Sequence, residues 1–145
     1  MAIVLDDNLP IVLVNGDSRG EQVLSKLTEW IEQGVPLHAP DLAPYEVANA
    51  LTRSIVAKTF LQDELALAWK HLSSLPITYH PVLEGTRVVE IALSLNRQNS
   101  YDAAYLALAE VLNAELWTLD SPLYRNEIGQ GFAIRLMGAS ETSSQ

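Results

Sequence analysis

Cysteine is absent from the 145 residues. That excludes disulfide staples and thiolate metal sites, and makes a reducing, cytoplasmic setting the simplest expectation. Basic residues are scarce: nine Lys and Arg stand against eighteen Asp and Glu, a formal net charge of −9. Phosphate neutralisation supplies most of a nucleic-acid binder's general affinity, so composition alone favours a small-molecule enzyme or an interaction domain. A chain this acidic is expected to bind something else, to offset part of its charge with bound cations, or to meet a basic partner protein. Long apolar runs are missing too, and nothing in the sequence is expected to span a membrane. The apolar start is broken by Asp6 and Asp7 and has no basic stretch before it, so it does not read as a signal peptide. His38, His71 and His80 are spaced too widely for a local zinc motif and read as structural or exposed. Gly16 and Gly20 lack the spacing of a nucleotide phosphate loop, and there is no serine nucleophile elbow. The Trp and Tyr residues fall at core spacings, which does not indicate a base-stacking platform.

What is present suffices for one packed core: 48% of residues are hydrophobic, with seven Gly and seven Pro. One domain is expected over residues 1–137, followed by a small, polar, frayed tail at 138–145. Short apolar runs alternate with amphipathic stretches, the pattern of an α/β fold around a mostly parallel sheet of about five strands. Strands are expected at Ala2–Leu5, Val35–His38, Ile77–Tyr79, Leu116–Leu119 and Phe132–Leu136. Ser18 and Glu21 have capping-box spacing before the helical run Val23, Leu24, Leu27, Trp30 and Ile31, with Gly34 at the C-terminal cap. Asp41 is expected to cap a helix to about Lys58, with Pro44 in its first turn. Thr59 and Gln62 form another possible box, before a helix through Leu65, Ala68, Trp69 and Leu72. Helices are also expected over Thr86–Arg97 and, capped by Ser100, over Tyr101–Asn113.

Four acids occupy positions that surface charges need not choose. Asp6 and Asp120 each end an apolar run read as a buried strand, and open α/β sheets bind ligands beyond the carboxyl ends of their strands. Asp102 falls in a first helical turn, where the helix dipole favours the ionised carboxylate that a cation needs. Glu46 lies early in its helix on a stripe with Asn49 and Arg53, away from the Val47 and Leu51 face. Each acid alone has a plain structural reading, as turn chemistry, dipole partner or solvated face. Together they are expected at one rim of the sheet, where converging carboxylates repel unless a cation lies among them. Oxygen-only ligation points to Mg²⁺ or Mn²⁺.

The stretch Ser100-Tyr101-Asp102-Ala103-Ala104-Tyr105-Leu106-Ala107-Leu108-Ala109-Glu110, followed by Leu116-Trp117-Thr118-Leu119-Asp120, closely resembles the C-terminal half of VapC-like PIN-domain toxins. Ala39-Pro40-Asp41-Leu42-Ala43-Pro44-Tyr45-Glu46-Val47-Ala48-Asn49-Ala50-Leu51 resembles the same family. Gly131-Phe132-Ala133-Ile134-Arg135-Leu136 is similar to its last strand. The resemblance spans most of residues 2–137, in order, and implies a three-layer α/β/α PIN-like (Rossmann-like) fold. It places the family's acidic quartet on Asp6, Glu46, Asp102 and Asp120, with Thr118 as the accessory hydroxyl and Asn8 as the polar residue after the first acid. The sequence departs from the family where Asp7 follows Asp6 in place of a small residue, and where Pro10 enters a first helical turn.

The resemblance further implies a Mg²⁺- or Mn²⁺-dependent endoribonuclease, the toxin of a bacterial toxin–antitoxin pair, with tRNA or rRNA as target. Asp6, Asp102 and Asp120 would be the main metal ligands. Glu46 would complete the shell or orient water, and Thr118 and Asn8 would fix the carboxylates. Arg53, Lys58, Arg97 and Arg125 are candidate phosphate contacts. Expected partners are an antitoxin and a second copy of the chain. Two alternatives stand beside this: a catalytically degenerate PIN-like module that binds RNA or protein, and another Mg²⁺-dependent phosphoryl-transfer enzyme.

Overall fold

The structure, a computed structural model, describes residues 1–96 and 101–138. Five strands, β1 (Ile3–Leu5), β2 (Leu37–Pro40), β3 (Ile77–His80), β4 (Glu115–Thr118) and β5 (Ile134–Leu136), form one sheet. Their order is β3-β2-β1-β4-β5 and each adjacent pair is parallel. The helices are α1 (Asn8–Ile11), α2 (Gly20–Glu32), α3 (Ala43–Val56), α4 (Leu65–Ser73), α5 (Gly85–Ser94), α6 (Tyr101–Leu112) and α7 (Ser121–Ile128). Parallel strands need crossover connections, and helices fill them, so both sheet faces are covered. β1 lies at the centre, with all three residues buried. Its period-two alternation divides the core: Ile3 and Leu5 join Val23, Leu27, Trp30, Val47 and Leu72 on one face. Val4 joins Leu116, Ile91 and the buried side of α6 on the other. Helix, sheet and helix make the three layers that the sequence leads one to expect.

Register brings the functional rim together. Leu5 is opposite Trp117, so Asp6 and Thr118 leave β1 and β4 side by side at their carboxyl ends. The chain reverses between the two halves of the sheet at this point, which is where such folds place ligands.

Local chemistry differs from expectation at several helix starts. Ser18 caps nothing: α2 begins at Gly20 behind Arg19, and Asp17 takes the turn by accepting from the Arg19 backbone N–H at 2.8 Å. Gly20 is required there because a Cβ would come within 2.6 Å of the Val12 carbonyl oxygen. Asp41 does not cap α3, whose N-cap is Leu42; Pro44 in the first turn brings no N–H of its own, so fewer donors there need a cap. The Thr59–Gln62 box does not form: the Thr59 hydroxyl donates to the Ser54 carbonyl at 3.1 Å, and Gln62–Glu64 make a single 3-10 turn before α4.

Helix ends also move. α3 stops at Val56 with Lys58 left-handed (φ 61), and α5 stops at Ser94 with Asn96 left-handed (φ 56), short of the expected Lys58 and Arg97. Gly34 closes α2 in the left-handed conformation (φ 70), as its sequence position implies. β2 starts two residues later than expected, because the Val35 N–H is engaged by Trp30 at the end of α2. Ser100, the expected cap of α6, lies outside the described residues, as does the expected tail from residue 139 onward.

Candidate active site

At the centre of the rim lie two buried polar side chains, Asp6 and Thr118. Thr118 is fully buried at the end of β4, and its hydroxyl must find partners there. It donates to Asp6 Oδ2 at 2.8 Å and accepts from Asn8 Nδ2 at 3.1 Å and from the Asp120 backbone N–H at 3.0 Å. One donor and both lone pairs are then used. Asn8 in turn accepts the Leu119 N–H on Oδ1 at 3.1 Å and reaches Asp6 Oδ2 at 3.4 Å. The Asp7 N–H donates to Asp6 Oδ1 at 2.8 Å. Asp6 is thus a buried carboxylate held by three groups, two of them from its own β1–α1 turn and one from β4.

Pro10 lies in the single turn of α1, buried between Leu9 and Ile11, where its missing N–H would have had no partner within the helix. Asp7 is half-buried beside Asp6, and its charge acts on Asp6, Glu46 and Tyr105 together.

Glu46 comes to the rim from α3, half-buried, and its Oε1 accepts the Tyr105 hydroxyl at 2.7 Å. Tyr105, almost fully buried, comes from α6, the helix that also carries half-buried Asp102. Burial pushes the Asp6 carboxyl well above the usual range, and Asp7 and Asp102 add to it while the Thr118 hydroxyl opposes. Burial likewise raises Glu46; Tyr105 and Arg53 pull it back, and Asp7 and Asp102 raise it further. Burial and the surrounding acids push the Tyr105 phenol far above its ordinary value, so it remains a donor. The charges of Asp7 and Asp102 thus act on both Asp6 and Glu46, which places the four in one acidic cleft.

Asp120 is exposed just beyond β4; only its backbone N–H meets the cluster, through Thr118, and its side chain has another duty. It is the N-cap of α7, a helix the sequence reading left unassigned, and its Oδ1 accepts the Leu123 N–H at 3.0 Å. The signal was legible in Asp120-Ser121-Pro122, an N-cap followed by proline in the first turn. Of the basic residues proposed for phosphate, Arg53 is near enough to lower Glu46. Lys58 and Arg125 are exposed in the turn after α3 and in the last turn of α7, and Arg97 lies outside the described residues. Tyr105 is the site residue that sequence reasoning took for core alone. Its spacing of three from Asp102, on one helical face, together with the need of a buried phenol for an acceptor, was the available sign.

Among the described residues no three His, Asp or Glu side chains close around a single ion position. The donor chemistry nonetheless fits Mg²⁺ or Mn²⁺. Every donor is an oxygen, burial and then neighbouring acids raise Asp6 and Glu46, and Mg²⁺ keeps several waters and takes only one or two carboxylates from protein. A thiolate- or imidazole-loving metal finds no such donors in the cleft.

Residues 3–128 match the PIN domain family. Ribonuclease VapC3 of Pyrobaculum aerophilum is 34% identical over 129 residues, which is 85% of this chain and 92% of that protein. VapC ribonuclease Mb0985 of Mycobacterium bovis and Ribonuclease VapC9 of Mycobacterium tuberculosis are each 29% identical over 119 residues, 81% of this chain and 85% of theirs. The crystal structure of PAE2754 from Pyrobaculum aerophilum shares the fold, with a TM-score of 0.68 at 21% identity over 92% of this chain and 83% of that one. On the family match, the relatives and the rim of acids reached independently from topology, the chain belongs to the PIN-domain family, among its VapC-like members.

Proposed function

We propose that this protein is a Mg²⁺- or Mn²⁺-dependent endoribonuclease, a cytoplasmic toxin held in check by an antitoxin, with structured RNA such as tRNA or rRNA as its target. The observation that carries this reading is the bonded cluster at the strand ends: Asp6 locked by Thr118 and Asn8, with Asp7 and Asp102 close enough to act on both Asp6 and Glu46. Asp6, Asp102, Asp120 and Glu46 are the residues that would hold the metal. When bound, such an ion supplies a low-pKa water and charge neutralisation for a phosphodiester.

The protein's own share is preorganisation. Thr118 and Asn8 fix the direction of the Asp6 oxygens, and the Asp120 backbone is held by the same hydroxyl. Glu46 is placed to orient a water or complete the ligand set, and exposed Arg53 on the same helix offers a phosphate contact. The relatives named as ribonucleases support RNA as substrate.

The test incubates the purified protein with bulk tRNA and rRNA in Mn²⁺ or in chelator, beside Asp102→Asn. We expect cleavage by the wild type in Mn²⁺ alone and none by the variant. The apo variant's melting temperature should hold or rise, because one charge leaves a self-repelling group. Asp102→Asn cutting at the wild-type rate overturns the site assignment. RNA binding without cleavage in any metal supports a non-catalytic module in its place.

A further inference from the structure

Two helices remote in sequence meet at the acidic rim through one side-chain bond. The Tyr105 hydroxyl of α6 donates to Glu46 Oε1 of α3 at 2.7 Å. Tyr105 is among the largest fully buried side chains, set in a helix whose other buried positions are Ala103, Leu106, Ala107, Leu108 and Ala109. A phenol in such surroundings needs a partner, and an aliphatic residue would fill the space without that requirement. Asp102 lies one helical step earlier on the same face, so α6 delivers an acid and a phenol to the same place.

Asp6 and Glu46 differ in how they are held. Asp6 is short and has three donors on its two oxygens. Glu46 is longer, half-exposed and carries one more torsion, and fixing such a chain costs more rotamer entropy. Resting on the ribonuclease reading above, we propose that Tyr105 is a positioning residue for Glu46. Its hydroxyl selects the Glu46 rotamer and occupies a lone pair of Oε1, which leaves Oε2 as the oxygen that serves the cleft. It does for Glu46 what Thr118 and Asn8 do for Asp6. Asp102 and Glu46 are thereby set in register, because one helix carries both the first and the group that holds the second.

The test variant is Tyr105→Phe, which keeps the ring and its packing and removes only the hydroxyl. Two readouts are taken on the full chain. In the metal-free protein, the side-chain carboxyl ¹³C resonance of Glu46 is compared between wild type and Tyr105→Phe. We expect it to move and its side-chain couplings to average; an unchanged resonance overturns the proposal. In Mn²⁺-dependent RNA cleavage, Tyr105→Phe is expected to lower kcat about tenfold with KM little changed, the scale of a lost hydrogen bond to a charged group.

On a Glu46→Gln background the same change should cost nothing more. Equal losses on both backgrounds would mean that Tyr105 acts as packing alone. If Tyr105→Phe fails to fold, Glu46→Ala reports the bond from the other side, through the Tyr105 Cζ resonance, and no movement there overturns the proposal. If the wild type cuts no RNA, the ribonuclease reading fails while the two resonances still decide whether Tyr105 holds Glu46.

Discussion

A single hydroxyl sets much of the site's geometry. Thr118 Oγ1 joins β1, the β1–α1 turn and the residue that caps α7, through Asp6, Asn8 and Asp120. Valine has nearly the same shape without the donor or the lone pairs. Thr118→Val should therefore leave three polar groups short of a partner and cost about 1–3 kcal/mol, read as a lower urea midpoint. It should also lower cleavage, since Asp6 loses a fixed direction. Thr118→Ser should restore most of both. A valine variant with unchanged stability and activity would mean that the hydroxyl is incidental.

The element scale carries its own titration. His38 on β2 and His80 on β3 bring Nδ1 and Nε2 to 2.8 Å, although 42 positions separate them in the chain. Their strands pair in register, with Pro40 opposite His80, which is why residues too far apart for a local motif become neighbours. Burial first, then His80, holds the His38 pKa below its ordinary value. A depressed histidine means that the unfolded chain binds more protons than the folded one just below about pH 6.5. The stability that His38 contributes is thus present above that pH and is lost as pH falls through it toward the lowered folded value. The urea midpoint should drop between about pH 7 and pH 5.5, and His38→Asn should flatten that part of the curve. An equal drop in the variant would assign it to other groups.

The same elements show how much was legible beforehand. Strand identity and order of elements follow from apolar runs such as Ile3-Val4-Leu5, because burial on both faces leaves an unmistakable pattern. Asp6 and Asp120 stand out because a strand's end is visible in sequence, and they do follow β1 and β4. The caps of α2, α3 and α4 were not legible, because Ser18, Asp41 and Thr59 had nearby alternatives for turn or backbone bonding that only the folded chain decides. The Tyr105–Glu46 bond was hidden for a different reason. It spans 59 positions, and no local spacing encodes a contact made when two helices pack at one rim.

At the scale of the whole molecule, charge and metal are linked. Burial and the neighbouring acids raise Asp6 and Glu46, which favours any cation that binds the folded protein alone, so Mn²⁺ should raise the melting temperature by mass action. Asp6→Asn should shrink that rise. A melting temperature unmoved across millimolar Mn²⁺ would mean that the cleft does not hold the ion.

The net charge of −9 also bears on partners. A molecule so acidic meets RNA weakly except at a metal-loaded cleft, which suits a narrow target rather than general affinity. The metal-free cleft is in turn a receptor for a cation of another kind, an Arg or Lys of a partner protein, which pairs with carboxylates through charge-assisted bonds. Exposed apolar side chains remain on the helical layers: Tyr45, Leu67 and Trp69 on α3 and α4, and Val82, Leu93 and Tyr101 just before α5, on α5 and on α6. Protein partners cover such surface more readily than RNA does, and two copies of −9 associate only if apolar burial outweighs their repulsion. We therefore expect a homodimer, and an antitoxin segment that inserts a basic residue among Asp6, Glu46, Asp102 and Asp120. Light scattering at high concentration tests the first part, and a strictly monomeric particle of 16.0 kDa counts against it. Co-purification with the product of the neighbouring upstream gene tests the second. Equal binding to a variant with all four acids replaced by their amides would show that the antitoxin grips the flanks and leaves the cleft open.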